Sequence, residues 1–248
     1  MIRSAYGCNI GIKRLVNQDR VYATDREIGS LPNLYIVADG MGGHAAGEIA
    51  AQTTVDYCRE FIRAAWPEPP ETLFREMAAS VNAQVYKISS FNPKYEGMGT
   101  TLVAVTVCPD AIYCLNVGDS RLYAVNSEGE FVRITVDHSV VEMMARRGEI
   151  TQEEARVHPK RNFITRAIGT EATVRPDVYR IPIDYAELLL LCSDGLSGQV
   201  EDGRISEIIG IRGLSLQTRV EMLINEANRN GGADNVSVIL IDTGRRKD

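Results

Sequence analysis

A chain of 248 residues with 44% hydrophobic side chains can close a core of its own, as one large domain or two small ones, without a disulfide or zinc staple. Its 33 acidic and 27 basic side chains leave a formal charge of −6, which argues against nucleic acid as the main partner. The five cysteines (Cys8, Cys58, Cys108, Cys114 and Cys192) are odd in number and form no C-x-x-C pair, so they read as free thiols in a reducing, cytoplasmic setting.

Met1 to Ser4 lack the apolar stretch of a signal peptide, and every apolar run is strand-sized, too short for membrane insertion. Residues 2–12 read as an irregular first strand, and residues 21–23 as a second strand-like piece. The apolar run 34–38 ends in Asp39, and Gly40, Gly42 and Gly43 follow within four residues, before a helical pattern begins near Ala45. Ile49, Thr53, Tyr57, Phe61 and Ala64 keep helical spacing to about Trp66. Pro67, Pro69 and Pro70 stop that helix and position the next, whose stripe is Leu73, Met77, Val81, Val85 and Ile88. The two helices are expected to form a layer over a sheet.

Strand signals recur at 102–107, 112–117, 122–125 and 131–135 with short turns between them, which predicts antiparallel meander pairing. Gly118-Asp119-Ser120 then reads as a hairpin tip. Residues 138–170 change in character: a short helix at 140–147 ended by Gly148, a capping box at Thr151-Gln152-Glu153-Glu154, and a basic cluster of Arg146, Arg147, Lys160, Arg161 and Arg166. They read as a charged excursion from the core. Strands resume at 178–181 and 188–192, helical patterns cover 203–209 and 216–229, and a strand at 236–242 is followed by a tail at 244–248. With no linker or low-complexity segment, residues 1–243 are expected to form one domain of α+β class. The architecture expected is a four-layer α-β-β-α sandwich, two mainly antiparallel sheets flanked by helices.

The layout around Asp39 returns at Leu188 to Gly198, where an apolar strand ends in Cys192-Ser193-Asp194-Gly195. Asp234, in Gly231-Gly232-Ala233-Asp234-Asn235, precedes the last strand. Asp39, Asp119, Asp194 and Asp234 thus all stand where a buried strand meets a Gly-rich turn, an arrangement unlike solubilising surface charge. Clustered carboxylates without a thiol pair or His-x-His favour hard divalent ions, Mg2+ or Mn2+. Two such ions about 3.5–4 Å apart can share a carboxylate and a bridging water, acidify it, and stabilise an in-line phosphoryl displacement. Structural Ca2+ or plain turn aspartates are the alternative reading of the residues alone.

Six motifs in order, Arg14-x-x-Asn17-Gln18-Asp19, Ala38-Asp39-Gly40-Met41-Gly42-Gly43-His44, Gly99-Thr100-Thr101, Gly118-Asp119-Ser120-Arg121, Ser193-Asp194-Gly195 and Ala233-Asp234-Asn235-Val236, span nearly the whole chain. In these the chain resembles bacterial type 2C serine/threonine protein phosphatases, the metal-dependent PPM family. The resemblance implies a β-sandwich flanked by helices, two core Mn2+ or Mg2+ ions and a third, looser one. It implies that Asp39 bridges the core pair, that the Gly40 carbonyl binds one ion, and that Asp194 and Asp234 complete the other. Asp119 would help hold the third ion with Asp194. Arg14 would bind the substrate phosphate, its guanidinium fork suiting bidentate contact. Asp19 would act through water near the first ion.

Two positions depart from the family pattern. Gln18 stands where Glu is frequent, removing one negative charge beside a metal-bound water. Met41 follows Asp-Gly where eukaryotic relatives commonly have His, so His44 is the candidate for protonating the leaving oxygen, or else a helix cap. The implied activity is hydrolysis of phosphoserine and phosphothreonine on proteins by a metal-bridging water, reversing kinase signalling. The partners implied are phosphorylated proteins, among them serine/threonine kinases and their substrates, and the chain is expected to be a cytoplasmic monomer. The excursion at 138–170 matches the family's flap. Two alternatives stand beside this reading: a small-molecule phosphoesterase, and an inactive phosphoprotein-binding scaffold.

Overall fold

The computed structural model describes residues 1–43, 46–126 and 128–245. Chain order begins with strands β1 (Arg3–Asn9), β2 (Asp19–Thr24) and β3 (Leu34–Met41), then helices α1 (Ala46–Ala64) and α2 (Pro70–Phe91). Strands β4 (Gly99–Thr100), β5 (Leu102–Val107), β6 (Ala111–Val117), β7 (Arg121–Val125) and β8 (Phe131–Arg133) follow, then helices α3 (Val140–Arg146) and α4 (Gln152–Val157). The last part runs β9 (Asp177–Pro182), β10 (Leu188–Cys192), α5 (Asp194–Ser197), α6 (Asp202–Gly210), α7 (Leu216–Arg229) and β11 (Val236–Asp242).

One sheet has the order β1-β11-β10-β7-β8 and the other β2-β3-β5-β6-β9, with β4 beside β3, and every pairing is antiparallel. The central strands are apolar without alternation because both of their faces are covered. In β3, Leu34, Ile36 and Ala38 pack under α1 and α2, while Tyr35 and Val37 face the opposite sheet. In β10 and β11, Leu190, Cys192, Val238 and Leu240 pack against α6 and α7, and Leu189, Leu191, Ile239 and Ile241 turn inward to meet Tyr35 and Val37. Three apolar interlayers therefore define four layers, α-β-β-α, as the residue pattern implies.

The expected meander holds only in part. Strands β5 and β6 form one hairpin and β7 and β8 another, but β6 and β7 belong to different sheets. Gly118-Asp119-Ser120 is thus a crossing between sheets and not a hairpin tip. Gly118 makes the crossing at φ 106°, where a Cβ would lie 2.7 Å from the Thr101 side chain. Strand-length apolar runs look alike whether they pair or part, so periodicity alone does not separate the two cases.

Residues 138–170 leave the sheets and carry α3, capped by Ser139, and α4, which opens on the expected capping box, Thr151 with Glu154. The segment rejoins the core where Thr100 and Ile168 exchange backbone hydrogen bonds of 3.0 and 2.9 Å. In the tail, Arg245 reaches the Pro109 carbonyl at 3.1 Å, while residues 246–248 lie outside the described residues. Among the described residues, no helix is long and apolar enough to cross a membrane.

Candidate metal centre

The pairing of β2 with β3 sets Asp19 directly opposite Asp39. Strand β3 is locked at this point by the Gly99-Thr100-Thr101 motif. The Asp39 N–H donates to Thr101 Oγ1 at 2.9 Å, and its carbonyl accepts from the Thr101 N–H and Thr100 Oγ1, both at 2.9 Å. Thr101 Oγ1 is also 2.7 Å from Ser120 Oγ, which ties the Asp119 crossing to the same point. Gly40 lies so close to α1 that a Cβ there would sit 2.0 Å from the Gly47 carbonyl oxygen. Only glycine lets the helix approach the end of the strand so nearly.

The opposite sheet supplies Asp194 and Asp234. Asp194 opens α5 straight after β10, and Asp234 precedes β11. A Cβ on Gly195 would lie 1.8 Å from the Asn235 carbonyl oxygen, so the two turns are in backbone contact. Asp19 links the sheets: sealed at 1% exposure, it accepts the Ser193 hydroxyl at 2.7 Å, and Ser193 Oγ accepts the Ser237 N–H at 3.0 Å.

Arg14 donates to Asp234 at 2.7 Å. Its loop is closed by the side chain of Asn235, itself buried. Asn235 Nδ2 donates to the carbonyls of Ile10 at 2.9 Å and Val16 at 3.1 Å, and Oδ1 accepts the Gln18 N–H at 2.8 Å. Arg20, which the motif reading passed over, donates to the carbonyls of Asn17 and Asp19 at 2.9 and 2.7 Å and to Glu48 of α1 at 2.6 Å. Its position beside Asp19 was the available signal. Ser193 and Thr101 were quoted within motifs, but their hydrogen bonds depend on which strands adjoin. His44 lies outside the described residues.

Burial and mutual repulsion dominate the electrostatics. Desolvation, then the charges of Asp19, Asp194, Asp119 and Asp234, raise the Asp39 carboxyl well above the usual range. Asp119 and Asp194 are raised by burial first and neighbouring aspartates second, and burial lifts Asp19 to about 7. One oxygen each of Asp19 and Asp194 is buried without a hydrogen bond. Orphaned acceptors among crowded carboxylates fit a divalent cation, which would supply the missing partner and the counter-charge together. Among the described residues, no three Asp, Glu, His or Cys side chains already converge at ligand spacing. Asp234 is instead drawn to Arg14, so closing a cage requires that ion pair to part.

A cleft of about 170 Å³ opens beside these groups, lined by Arg14, Asp119, Asp194 and Asp234 on one side and by Gln152, Arg156 and Arg161 on the other. Arg156 of α4 donates to the Ser197 carbonyl of α5 at 3.2 Å. Below Asp119, Arg121 grips Asp137 at 2.6 Å, and Arg133 joins Glu142 of α3 at 2.9 Å. The Gly118 N–H donates to His138 Nδ1 at 3.0 Å, and Nε2 lies 2.9 Å from Arg166 and 3.1 Å from Asp177. Burial lowers the His138 pKa, in keeping with a neutral ring.

Carboxylates brought from two sheets to one cleft, with an arginine beside them, fit the class of metal-dependent hydrolases of phosphate esters. Residues 12–229 match the protein phosphatase 2C family, and the chain belongs to it. It is 37% identical to the serine/threonine phosphatase stp of Listeria monocytogenes over 213 residues, 84% of each chain. Its fold matches that of the serine/threonine phosphatase Stp1 of Staphylococcus aureus with a TM-score of 0.90 at 34% identity, over 98% of this chain and 95% of the other. The catalytic domain of the phosphatase PstP, solved in complex with two manganese ions, matches with a TM-score of 0.85 at 33% identity over 97% of each chain.

Proposed function

We propose that this protein hydrolyses phosphoserine and phosphothreonine on proteins, with two Mn2+ or Mg2+ ions held by Asp39, the Gly40 carbonyl, Asp194 and Asp234. Asp119, with Asp194, would take a third ion more loosely. The observation that carries this reading is the crowding of buried and partly buried aspartates that raise one another's pKa, with acceptor atoms of Asp19 and Asp194 left unsatisfied. Bound divalent ions supply Lewis acidity toward phosphate oxygens and an acidified water.

The chain's own residues bind, orient and hold protons. Arg14, half-exposed at the cleft, exchanges Asp234 for the substrate phosphate, which its planar fork can grip bidentately. The pinned backbone of Asp39 fixes the spacing on which in-line attack depends. Asp19, with one free carboxylate oxygen and a pKa of about 7, holds a water against Asp39, and Gln18 orients a neighbouring one without adding charge. His44 is the proposed acid for the leaving serine or threonine oxygen. No thiol is activated as a nucleophile: burial pushes Cys192 up to about 12, Cys58 and Cys114 higher still, and raises Cys8 and Cys108 as well.

We place residues 1–243 together as one catalytic unit, monomeric and cytoplasmic, acting on serine/threonine kinases and their substrates. The test compares phosphothreonine peptides with nucleotide and sugar phosphates in Mn2+ and in EDTA. Metal-dependent turnover of the peptides supports the reading, and turnover of small phosphates alone would replace it with a small-molecule phosphoesterase.

A further inference from the structure

The loop that carries Arg14 is tied down along its length. Asn235 binds the carbonyls of Ile10 and Val16, and the Gly232 carbonyl accepts the N–H groups of Ile12 and Lys13 at 2.8 and 3.1 Å. A loop so fixed could fold apolar side chains inward at little cost. It does the reverse: Leu15 is 96% exposed, Ile12 66% and Val16 42%. On the facing bank, Val157 and Phe163 are 79% and 60% exposed, each following a cleft-lining residue, Arg156 and Asn162. Single exposed apolar side chains are ordinary, but these five, none of them lining the cleft itself, each stand within two residues of a side chain that does, three of them within two residues of Arg14, and are taken together as its rim.

We propose that this rim is the specificity surface for the residues flanking the phosphorylated one, and that it favours apolar flanks. The proposal rests on the phosphatase reading above. The occupant follows from continuity with the cleft. A phosphate held by Arg14 would bring the residues flanking it, about 3.8 Å apart along the chain, within reach of Ile12, Leu15 and Val16, which lie within two residues of that arginine. A rigid apolar surface loses little entropy on binding, so its contact area appears as affinity for the peptide. Flank and phosphate are then read separately, the first by Leu15 and its neighbours and the second by Arg14.

The experiment measures kcat/KM for two phosphothreonine peptides, one flanked by Leu and Val and one by Ser and Gly, and for p-nitrophenyl phosphate, which has no flanks. Native protein is compared with Leu15→Ser and with Ile12→Ser. The native protein is expected to favour the apolar peptide about tenfold, mainly through KM. Leu15→Ser should cut that ratio to about twofold or less while p-nitrophenyl phosphate turnover stays within about twofold of native. Equal rates on both peptides, or a Leu15→Ser loss shared by all three substrates, would overturn the proposal. So would a flat flank ratio accompanied by dimerisation that Leu15→Ser abolishes, which would assign the rim to a second copy of the chain. Failure to hydrolyse any of the three substrates sinks the phosphatase reading itself, whereas hydrolysis without flank preference sinks only the rim.

Discussion

With its guanidinium 2.7 Å from Asp234, Arg14 stands between two competing anions, the carboxylate and an incoming phosphate. On the proposed reading, Asp234 would hold a divalent cation, and Arg14 would then be free to bind the phosphate. Arg14→Ala removes one charged hydrogen-bonding partner, about 1.5–3 kcal/mol, and is expected to raise KM roughly ten- to a hundredfold with a smaller change in kcat. Steady-state kinetics on a phosphothreonine peptide check this split. Desolvation and four neighbouring aspartates raise the Asp39 carboxyl, which makes it the most crowded charge of the cluster to test. Asp39→Asn keeps the shape and removes the charge, so metal-dependent turnover should fall by about a thousandfold while the far-ultraviolet circular dichroism stays native. The aspartates were readable from sequence because each ends an apolar run beside glycine. The Arg14–Asp234 pair was not, since 220 residues separate the partners and no local pattern records the contact.

At the scale of elements, the site is a set of strand ends held together by side chains that carry no chemistry. Asn235 ties the Arg14 loop to the turn of Asp234, and its removal would leave two carbonyls and one N–H without their partner. Asn235→Ala is expected to cost about 1–3 kcal/mol of stability per group left buried and unsatisfied, and to raise KM as Arg14 loses its placement. Urea unfolding and kinetics on the same variant test both effects, and Asn235→Asp, which keeps an acceptor for the Gln18 N–H but sets a charged oxygen against the Ile10 and Val16 carbonyls, should lose at least as much. Strand positions were legible wherever both faces are apolar, as in β5, β10 and β11, which match the expected bounds. Sheet membership was not. The six residues of β5 and the five of β7 show similar runs, yet one joins the Asp39 sheet and the other the Asp194 sheet. What distinguishes them is the positive φ at Gly118, a feature that a Gly-Asp pair shares with any tight turn.

For the whole molecule, three apolar interlayers are set against one strongly charged corner, and that corner makes stability depend on pH and on cations. Asp19 rises from 3.8 to about 7 on folding, with Asp39, Asp119 and Asp194 raised as well. Between those limits the folded chain binds more protons than the unfolded one, so the stability of metal-free protein falls as pH rises from about 4 through 7. Its melting temperature in EDTA should therefore be lower at pH 8 than at pH 5. Saturating Mn2+, which binds only the folded site, should restore more at pH 8, by about 2.7 kcal/mol at a hundred times the dissociation constant. Equal melting temperatures at both pH values, unaffected by Mn2+, would show that the corner is neither strained nor a cation site.

The most direct test follows phosphothreonine-peptide hydrolysis by EDTA-stripped protein as Mn2+ is titrated back, with Asp39→Asn alongside. The expected result is no turnover in EDTA, saturable recovery with Mn2+ in the native protein, and none in the variant. Turnover undiminished in EDTA, or a variant that recovers as the native protein does, would contradict the claim that these aspartates gather the cations on which hydrolysis depends.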